Sequence, residues 1–123
     1  MITHVFVVDD DGVIASTTAE ILQLSGYDAR SFVNPLDALE AARSVGPDLV
    51  IADVMMPGLS GIDLAVCLKA HHPTCKVLLL SGQAETGDLL AVARERGHNF
   101  QVLAKPIHPR DLLARIKEAE SLT

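Results

Sequence analysis

Apolar runs of strand length alternate along this chain with segments in which apolar residues recur at helical spacing. The strand-like runs cover His4–Val8, Asp28–Phe32, Leu49–Ala52, Lys76–Leu80 and Gln101–Ala104. The helical segments cover Val13–Ser25, Pro35 to near Gly46, Ile62–Ala70, about Thr86 to Gly97, and Pro109–Ala119. Alternation between these two periods is typical of β-α units with a parallel sheet. The pattern therefore predicts five such units joined by short connections.

The central runs are apolar at nearly every position, unlike strands that have one face in water. Such strands are covered on both faces of a parallel sheet. Because β-α-β crossovers are right-handed, helices on both faces give a doubly wound α/β sandwich. The more polar run Asp28–Phe32 is predicted to be an edge strand.

Helical spacing also predicts which side chains the first two helices bury. For the first helix these are Ile14, Ile21, Leu22 and Leu24, and for the second they are Leu36, Leu39 and Ala42. Asn34 is expected to cap the second helix, with Pro35 at its first position.

Composition narrows the class of protein. A length of 123 residues suits one domain, so residues 1–123 are expected to form a single unit. A hydrophobic fraction of 49% favours a packed globule over a disordered chain. The net charge of −6 weakens any case for nucleic-acid binding. No secretory signal is visible and no apolar run is long enough to span a membrane, so we expect a cytoplasmic location.

Two cysteines and two histidines lie close together in the middle of the chain. Cys67, His71, His72 and Cys75 do not match a zinc spacing, and Pro73 interrupts the segment. A helix end followed by a loop is the favoured interpretation, and the cysteines are expected to be reduced thiols.

Charged and polar residues follow four of the apolar runs where each run stops. They are the cluster Asp9–Asp11, then Asp53, Ser81 and the pair Lys105–Pro106. The carboxyl ends of parallel strands lie along one edge of the sheet, so residues far apart in sequence meet there. The sequence therefore predicts one site built from all four segments.

The residue types in this predicted site point to phosphoryl chemistry. One aspartate at a helix start is explained as an N-cap, but three adjacent aspartates exceed what capping needs. Carboxylates gathered in one pocket repel each other unless a cation lies among them, and oxygen ligands favour Mg²⁺. A lysine and a hydroxyl beside them suit a phosphoryl group, which a carboxylate such as Asp53 can carry as an aspartyl phosphate.

The same four segments resemble the receiver domain of two-component response regulators. The similarity rests on VFVVDDD at 5–11, DLVIADVMMPG at 48–58, VLLLSG at 77–82 and LAKPI at 103–107, in that order. The resemblance implies a flavodoxin-like sheet of five parallel strands in the order 2-1-3-4-5, with five helices and the site at the topological switch point.

The resemblance also implies roles for the site residues. Asp53 would accept the phosphoryl group, Asp10 would bind Mg²⁺ directly and Asp9 would bind it through water. Asp53 and the backbone carbonyl of Met55 would complete the protein's share of the metal ligands. Lys105 would contact the phosphoryl group, and the bond from Lys105 to the next residue, a proline, is often cis in this family.

Partners and output also follow from the resemblance. The phosphoryl donor would be a histidine kinase, a histidine phosphotransfer protein or a small acyl phosphate. Ser81 would hydrogen-bond the transferred group and shift the population of two surface states, which a downstream protein or an output domain would read. Such a domain catalyses its own phosphorylation and dephosphorylation but acts as a switch, not as a turnover enzyme. The surface expected to bind partners includes Val92, Arg96, Phe100, Arg110 and Leu113.

Two positions depart from the usual receiver pattern. Many receivers have Tyr or Phe three residues before the lysine of strand five, where this chain has Val102, and Phe100 lies nearby. Ser81 and Gly82 stand where Thr and Ala are common. This difference should alter the stiffness of the loop and, with Met55 and Gln83, the lifetime of the phosphoryl group.

Two alternatives to a phosphorylated receiver remain. One is a haloacid-dehalogenase-like phosphatase, in which Asp9 would be the nucleophile and Asp11 the acid/base. That family needs an acidic metal-binding motif at a strand end after its lysine, and only a helix is predicted after Lys105. The other is a pseudo-receiver that keeps the fold, binds partners and is not phosphorylated.

Overall fold

In the computed structural model, residues 2–82, 91, 94–98 and 100–121 are described. The strands are β1 (His4–Val8), β2 (Asp28–Phe32), β3 (Leu49–Asp53), β4 (Lys76–Ser81) and β5 (Gln101–Ala104). The helices in the described ranges are α1 (Gly12–Leu24), α2 (Pro35–Ala42), α3 (Gly61–His71) and α4 (Pro109–Ser121). The predicted elements agree with these, except that α2 ends well before Gly46. None of the helices in these ranges has the length and apolar character needed to cross a bilayer.

The predicted helix between β4 and β5 lies mostly outside the described residues. Of its positions, 91, 94 and 95 are helical. Gly97 follows with a φ of 87°, the left-handed conformation in which glycine commonly ends a helix.

All five strands are parallel and lie in the order β2-β1-β3-β4-β5, which confirms the predicted topology and the edge position of β2. In the register of the sheet, Asp53 pairs with Leu80 and Ser81 pairs with Ala104. The carboxyl ends of β1, β3, β4 and β5 therefore lie side by side at one edge.

Side chains of the central strands form a separate core on each face of the sheet, as their continuous apolar sequence predicted. On one face, Phe6 and Val50 pack with buried residues of α2 and α3, among them Ala38 and Leu64. On the other face, residues of the same strands pack with α1 and α4; these include Val5, Ile51, Leu22 and Ile116. The two cores fix the sheet between two helical layers.

The predicted buried stripes of the first two helices are partly wrong. Leu24 is 89% exposed, Leu36 is 62% exposed and Ile14 is 40% exposed. In α1, the buried positions are Ala15, Ala19 and Leu22, so the prediction is confirmed for Leu22. Small alanine side chains therefore make up much of the buried face of α1, and the larger Ile14 and Leu24 are exposed.

Candidate functional site

Asp9 follows β1 and is almost completely buried. Its backbone amide donates to the carbonyl of Phe32 at 3.0 Å, which fixes the chain as it leaves the sheet. The side chain of Asp9 is 4% exposed, and its Oδ1 accepts the backbone amide of Asp11 at 2.9 Å. A carboxylate this far from solvent needs partners, because burying an unpaired charge is costly.

Asp53 is the last residue of β3, and its side chain is 13% exposed. Its Oδ1 accepts the backbone amide of Met55 at 3.3 Å. Sequence reasoning considered only the carbonyl of Met55 and missed this amide, which holds the Asp53 carboxylate in one orientation.

Lys105 joins these two carboxylates. Its Nζ donates to Asp9 Oδ2 at 2.9 Å and to Asp53 Oδ2 at 3.0 Å, across 96 and 52 positions of sequence. Burial disfavours the charged ammonium, but the hydrogen bonds and negative charges of Asp9 and Asp53 outweigh it, so the pKa of Lys105 is raised. The bond between Lys105 and Pro106 is cis, as expected. The predicted convergence of strand ends is therefore present.

Asp10 completes an acidic cluster with Asp9 and Asp53. One carboxylate oxygen from each of the three residues lies within 4.8 Å of the others, and Asp10 is exposed to solvent. Within the described ranges, this is the only group of three or more residues that could hold a metal ion. Three carboxylate oxygens with an open side fit Mg²⁺, which takes oxygen ligands and keeps several waters.

Asp11, the third aspartate of the run, has a different role. Its side chain is the N-cap of α1 and accepts the backbone amides of Val13 at 3.0 Å and Ile14 at 3.3 Å. The capping interpretation therefore holds for one of the three aspartates. A carboxylate engaged with two amides at the helix start is poorly placed to act as the acid/base of a phosphatase.

Ser81 lies at the end of β4, beside the strand that carries Asp53. It is 8% exposed, and its carbonyl accepts the backbone amide of Lys105 at 2.9 Å.

Val102 and Phe100 are half-buried and pack against the core on the α2–α3 face. The Phe100 ring also stacks on His98, with ring centroids 5.5 Å apart. Gln83, which was expected to influence the lifetime of the phosphoryl group, lies outside the described residues.

The cysteine and histidine segment forms no metal site among the described residues. His71 Nδ1 lies 3.2 Å from the carbonyl of Cys67, and His72 Nε2 lies 3.1 Å from the carbonyl of Ala42. Both cysteines are free, and burial raises the pKa of Cys75 to about 11. His71 therefore contacts the backbone of the last turns of α3, and His72 joins the chain after α3 to the end of α2.

Known proteins share this arrangement of segments. The family model described as "Response regulator receiver domain" matches residues 5–117, a range that contains every site residue above. The chain belongs to the response regulator receiver domain family. The phosphatase and pseudo-receiver alternatives are therefore not favoured.

Relatives of this receiver domain include longer regulators. The transcriptional regulatory protein CreB of Escherichia coli is 38% identical over 113 residues, which cover 92% of this chain and 48% of CreB. The DNA-binding response regulator MtrA of Mycobacterium leprae is 32% identical over 114 residues, which cover 93% of this chain and 49% of MtrA. The chain therefore spans about half the length of these relatives.

A solved structure supports the fold independently. The CheY-like response regulator receiver domain protein of Methanospirillum hungatei superimposes with a TM-score of 0.85 at 25% identity, and the match covers 100% of both chains.

Proposed function

We propose that this receiver domain accepts a phosphoryl group on Asp53 in a Mg²⁺-dependent reaction. The observation that carries the proposal is the bridge from Lys105 Nζ to Asp9 and Asp53, at 2.9 and 3.0 Å, inside a cluster of three carboxylates. Family membership supports the same role. We also propose that residues 1–123 form a single receiver domain.

The chemistry falls mainly to Asp53 and Lys105. A carboxylate oxygen of Asp53 attacks phosphorus, the phosphorus–oxygen bond forms, and the bond to the donor nitrogen or acyl oxygen breaks. Lys105 keeps a positive charge beside the transferred group and binds one of its oxygens. Asp9, Asp10, Asp53 and the carbonyl of Met55 would hold Mg²⁺, which when bound offsets negative charge on the transferring oxygens.

Ser81 supports a switch that responds to this chemistry. Its position at the end of β4, beside β3, suits a hydroxyl that donates to a phosphoryl oxygen on Asp53. Phosphorylation adds charge and acceptor oxygens at this point, and a contact made only in the phosphorylated state shifts the population of two surface conformations. Val102 in place of an aromatic residue means that another side chain has to report the shift.

A protein donor suits the surface beside the site. A cleft of about 560 Å³ lies next to Lys105 and is lined mostly by apolar groups, including Val13, Ile14, Pro106 and Ile107. Val13 is 75% exposed, although it lies in the first turn of α1, whose other face is buried. An exposed apolar cleft beside a charged pocket favours a macromolecular donor such as a histidine kinase or phosphotransfer protein, acting in the cytoplasm.

The output of this domain passes to another protein surface. The relatives named above are regulators of about twice this length, and MtrA is named as DNA-binding. We propose that this domain signals to a downstream protein or to an output domain, without itself contacting nucleic acid or membrane. Of the surface residues expected to bind partners, Arg96 and Arg110 are exposed, Phe100 and Leu113 are half-buried, and Val92 lies outside the described residues.

Replacement of Asp53 by asparagine tests the proposal. Incubation of the wild type with acetyl phosphate and Mg²⁺ should add one phosphoryl mass, measured on the intact protein, and chelation of Mg²⁺ should prevent it. Asp53→Asn should gain none, because an amide oxygen is a poor nucleophile. The matched control is Asp63→Asn, an exposed aspartate on α3 that should be phosphorylated like the wild type.

The location of the phosphoryl group separates the alternatives. Peptide mapping that places it on Asp9 would support the phosphatase instead. A wild type that gains no mass from acetyl phosphate or from a phosphorylated histidine phosphotransfer domain would support the pseudo-receiver.

A further inference from the structure

The first residue of α3, Gly61, lies directly against the end of β3. Its backbone amide donates to the carbonyl of Val54 at 2.9 Å, so the chain leaves the sheet after Asp53 and returns to it within one short loop. That loop, residues 55–60, carries the Met55 amide that binds the Asp53 carboxylate. Gly61 therefore closes the loop at the position where the proposed phosphoacceptor is held.

There is no room at Gly61 for a side chain. A β-carbon built there would lie 2.2 Å from the carbonyl oxygen of Asp53, 2.9 Å from its carbonyl carbon and 3.2 Å from the α-carbon of Val54. All three atoms belong to the backbone, which cannot swing aside as a flexible side chain can.

Backbone conformation does not explain the glycine. Gly26, Gly58 and Gly97 have left-handed φ values, and Gly61 does not. Alanine is intrinsically better than glycine in a helix, so conformational preference alone would favour Gly61→Ala. The close approach to Asp53 is what requires glycine here.

Hydrogen bonds and packing hold both the end of β3 and the start of α3 in place. The amide of Val54 donates to the carbonyl of Leu80 at 2.9 Å, which ties the end of β3 to β4. On the helix side, the Ser60 hydroxyl caps α3 by accepting the amide of Asp63 at 3.0 Å, and Ile62 is buried in the core. A group inserted at Gly61 has to displace the end of β3, the loop after it, or both.

We propose that Gly61 is a positioning residue of the phosphoacceptor site. By letting α3 begin in contact with the carbonyl of Asp53, it fixes the Asp53 carboxylate and the Met55 backbone relative to Asp9 and Lys105. This inference rests on the proposed function, because it assigns Gly61 to the cation affinity and phosphoryl acceptance of the same site.

Gly61→Ala tests the inference, with Mg²⁺ binding measured by calorimetry in the absence of any phosphoryl donor. We expect the dissociation constant for Mg²⁺ to rise about tenfold or more, the range typical when groups that support a metal site are lost. At saturating Mg²⁺, the rate of phosphoryl acceptance from acetyl phosphate should fall about a hundredfold, as for a reacting group displaced by about 1 Å.

The control is Gly46→Ala, which introduces a close contact with a side chain, not with the backbone, far from the site. A β-carbon at Gly46 would lie 2.5 Å from the His72 ring. Both variants should lose thermal stability, but Gly46→Ala should keep the wild-type affinity for Mg²⁺. If the two variants lose stability and bind Mg²⁺ equally well, Gly61 has only a packing role and the inference is wrong.

If Gly61→Ala does not fold, the role of Gly61 can be tested on the wild-type protein by hydrogen exchange. Saturating Mg²⁺ should slow hydrogen exchange at the Gly61 amide, which binds Val54, more than at the Asp48 amide, which binds His4. Equal slowing at both amides would overturn the inference. A wild type that fails to bind Mg²⁺ at all would instead overturn the proposed function.

Discussion

Lys105 balances the negative charges of Asp9 and Asp53 in the site. Its ammonium lies between two carboxylates that are at most 13% exposed, and each of these also accepts a backbone amide. Removing one partner from such a group leaves an unpaired buried charge, which costs more than the pair itself contributes. Asp9, Asp53 and Lys105 are therefore mutually dependent, whereas Asp10 on the exposed side is free to meet a cation from solvent.

The side chain of Asp11 stabilises the start of α1 as its N-cap. Asp11→Ala should lower the free energy of unfolding by about 1 kcal/mol, because α1 loses its N-cap. The variant should still gain a phosphoryl group from acetyl phosphate, measured by intact mass. The stability change is read from urea denaturation.

Asp11→Asn is the control, because asparagine caps helices as well as aspartate does. It should match the wild type in both stability and phosphorylation. Loss of phosphoryl acceptance in Asp11→Asn would show that the carboxylate itself takes part in the chemistry, as in the phosphatase alternative.

At the scale of elements, the site depends on where strands end and helices begin. β3 and β4 each run one residue further than predicted, so Asp53 and Ser81 are held by the sheet itself. Side-chain caps start the helices that follow β1, β2 and β3, at Asp11, Asn34 and Ser60. Rigid strand ends and capped helix starts confine the loops between them, which is what a precise site needs.

Asp48 joins β1 and β3 at their amino ends, opposite the site, and the strength of this contact should depend on pH. Asp48 Oδ2 accepts the backbone amides of Thr3 and His4, both at 2.9 Å, and so ties the start of β1 to β3. Partial burial raises the pKa of Asp48, but these hydrogen bonds and the nearby positive charges outweigh it, so the pKa is lowered.

Because the pKa of Asp48 is lowered in the folded state, its ionised carboxylate stabilises the fold. The stabilisation by Asp48 is present above its unfolded pKa of about 3.9 and is lost as the pH falls through the lower folded pKa. Asp48→Asn should therefore reduce the free energy of unfolding at pH 7 by about 1 kcal/mol, the order of one hydrogen bond to a partly exposed charge. The deficit, measured by urea denaturation, should shrink below pH 4.

Asp28→Asn serves as the control for Asp48. Asp28 also contacts His4, at 3.1 Å, but its side chain is 61% exposed. Exposed ion pairs contribute little, so this variant should stay close to the wild type at every pH. A deficit of Asp48→Asn that persists unchanged at pH 3 would contradict the assigned role of its charge.

At the scale of the whole molecule, cation binding should be coupled to folding. The acidic cluster unites residues from the ends of two strands, so it exists only in the folded chain. A ligand that binds only the folded state stabilises it by mass action, by about 2.7 kcal/mol at a concentration one hundred times the dissociation constant. Mg²⁺ should therefore raise the melting temperature in thermal scans, and a chelator should reverse the effect.

Thermal scans of Asp10→Asn should separate the effect of repulsion among the three carboxylates from the stabilisation by bound Mg²⁺. Without Mg²⁺ it should melt at or above the wild-type temperature, because one of three repelling carboxylates is gone. With Mg²⁺ it should gain much less than the wild type. Asp48→Asn, altered at the other edge, should keep the full gain. An equal gain in Asp10→Asn and the wild type would exclude Asp10 as a ligand.

The order of elements, the parallel sheet and the polar residues at the carboxyl ends of its strands could all be predicted from the sequence. Strands covered on both faces are apolar throughout, and helices recur at their own period, so local composition carried that information. It also placed Asp9, Asp53, Ser81 and Lys105 at strand ends, where parallel topology brings residues together.

Which groups make contact, and which face each helix buries, depend on the packed fold and could not be predicted from the sequence. Ile14, Leu24 and Leu36 fit a helical stripe, yet they are exposed. The packed helices bury other positions, among them Ala15 and Ala38. The roles of Asp11 as a cap and of Lys105 as a bridge likewise needed distances between atoms. Periodicity is a property of the chain, but a hydrogen bond or a clash at Gly61 is set by positions in space that several elements fix together.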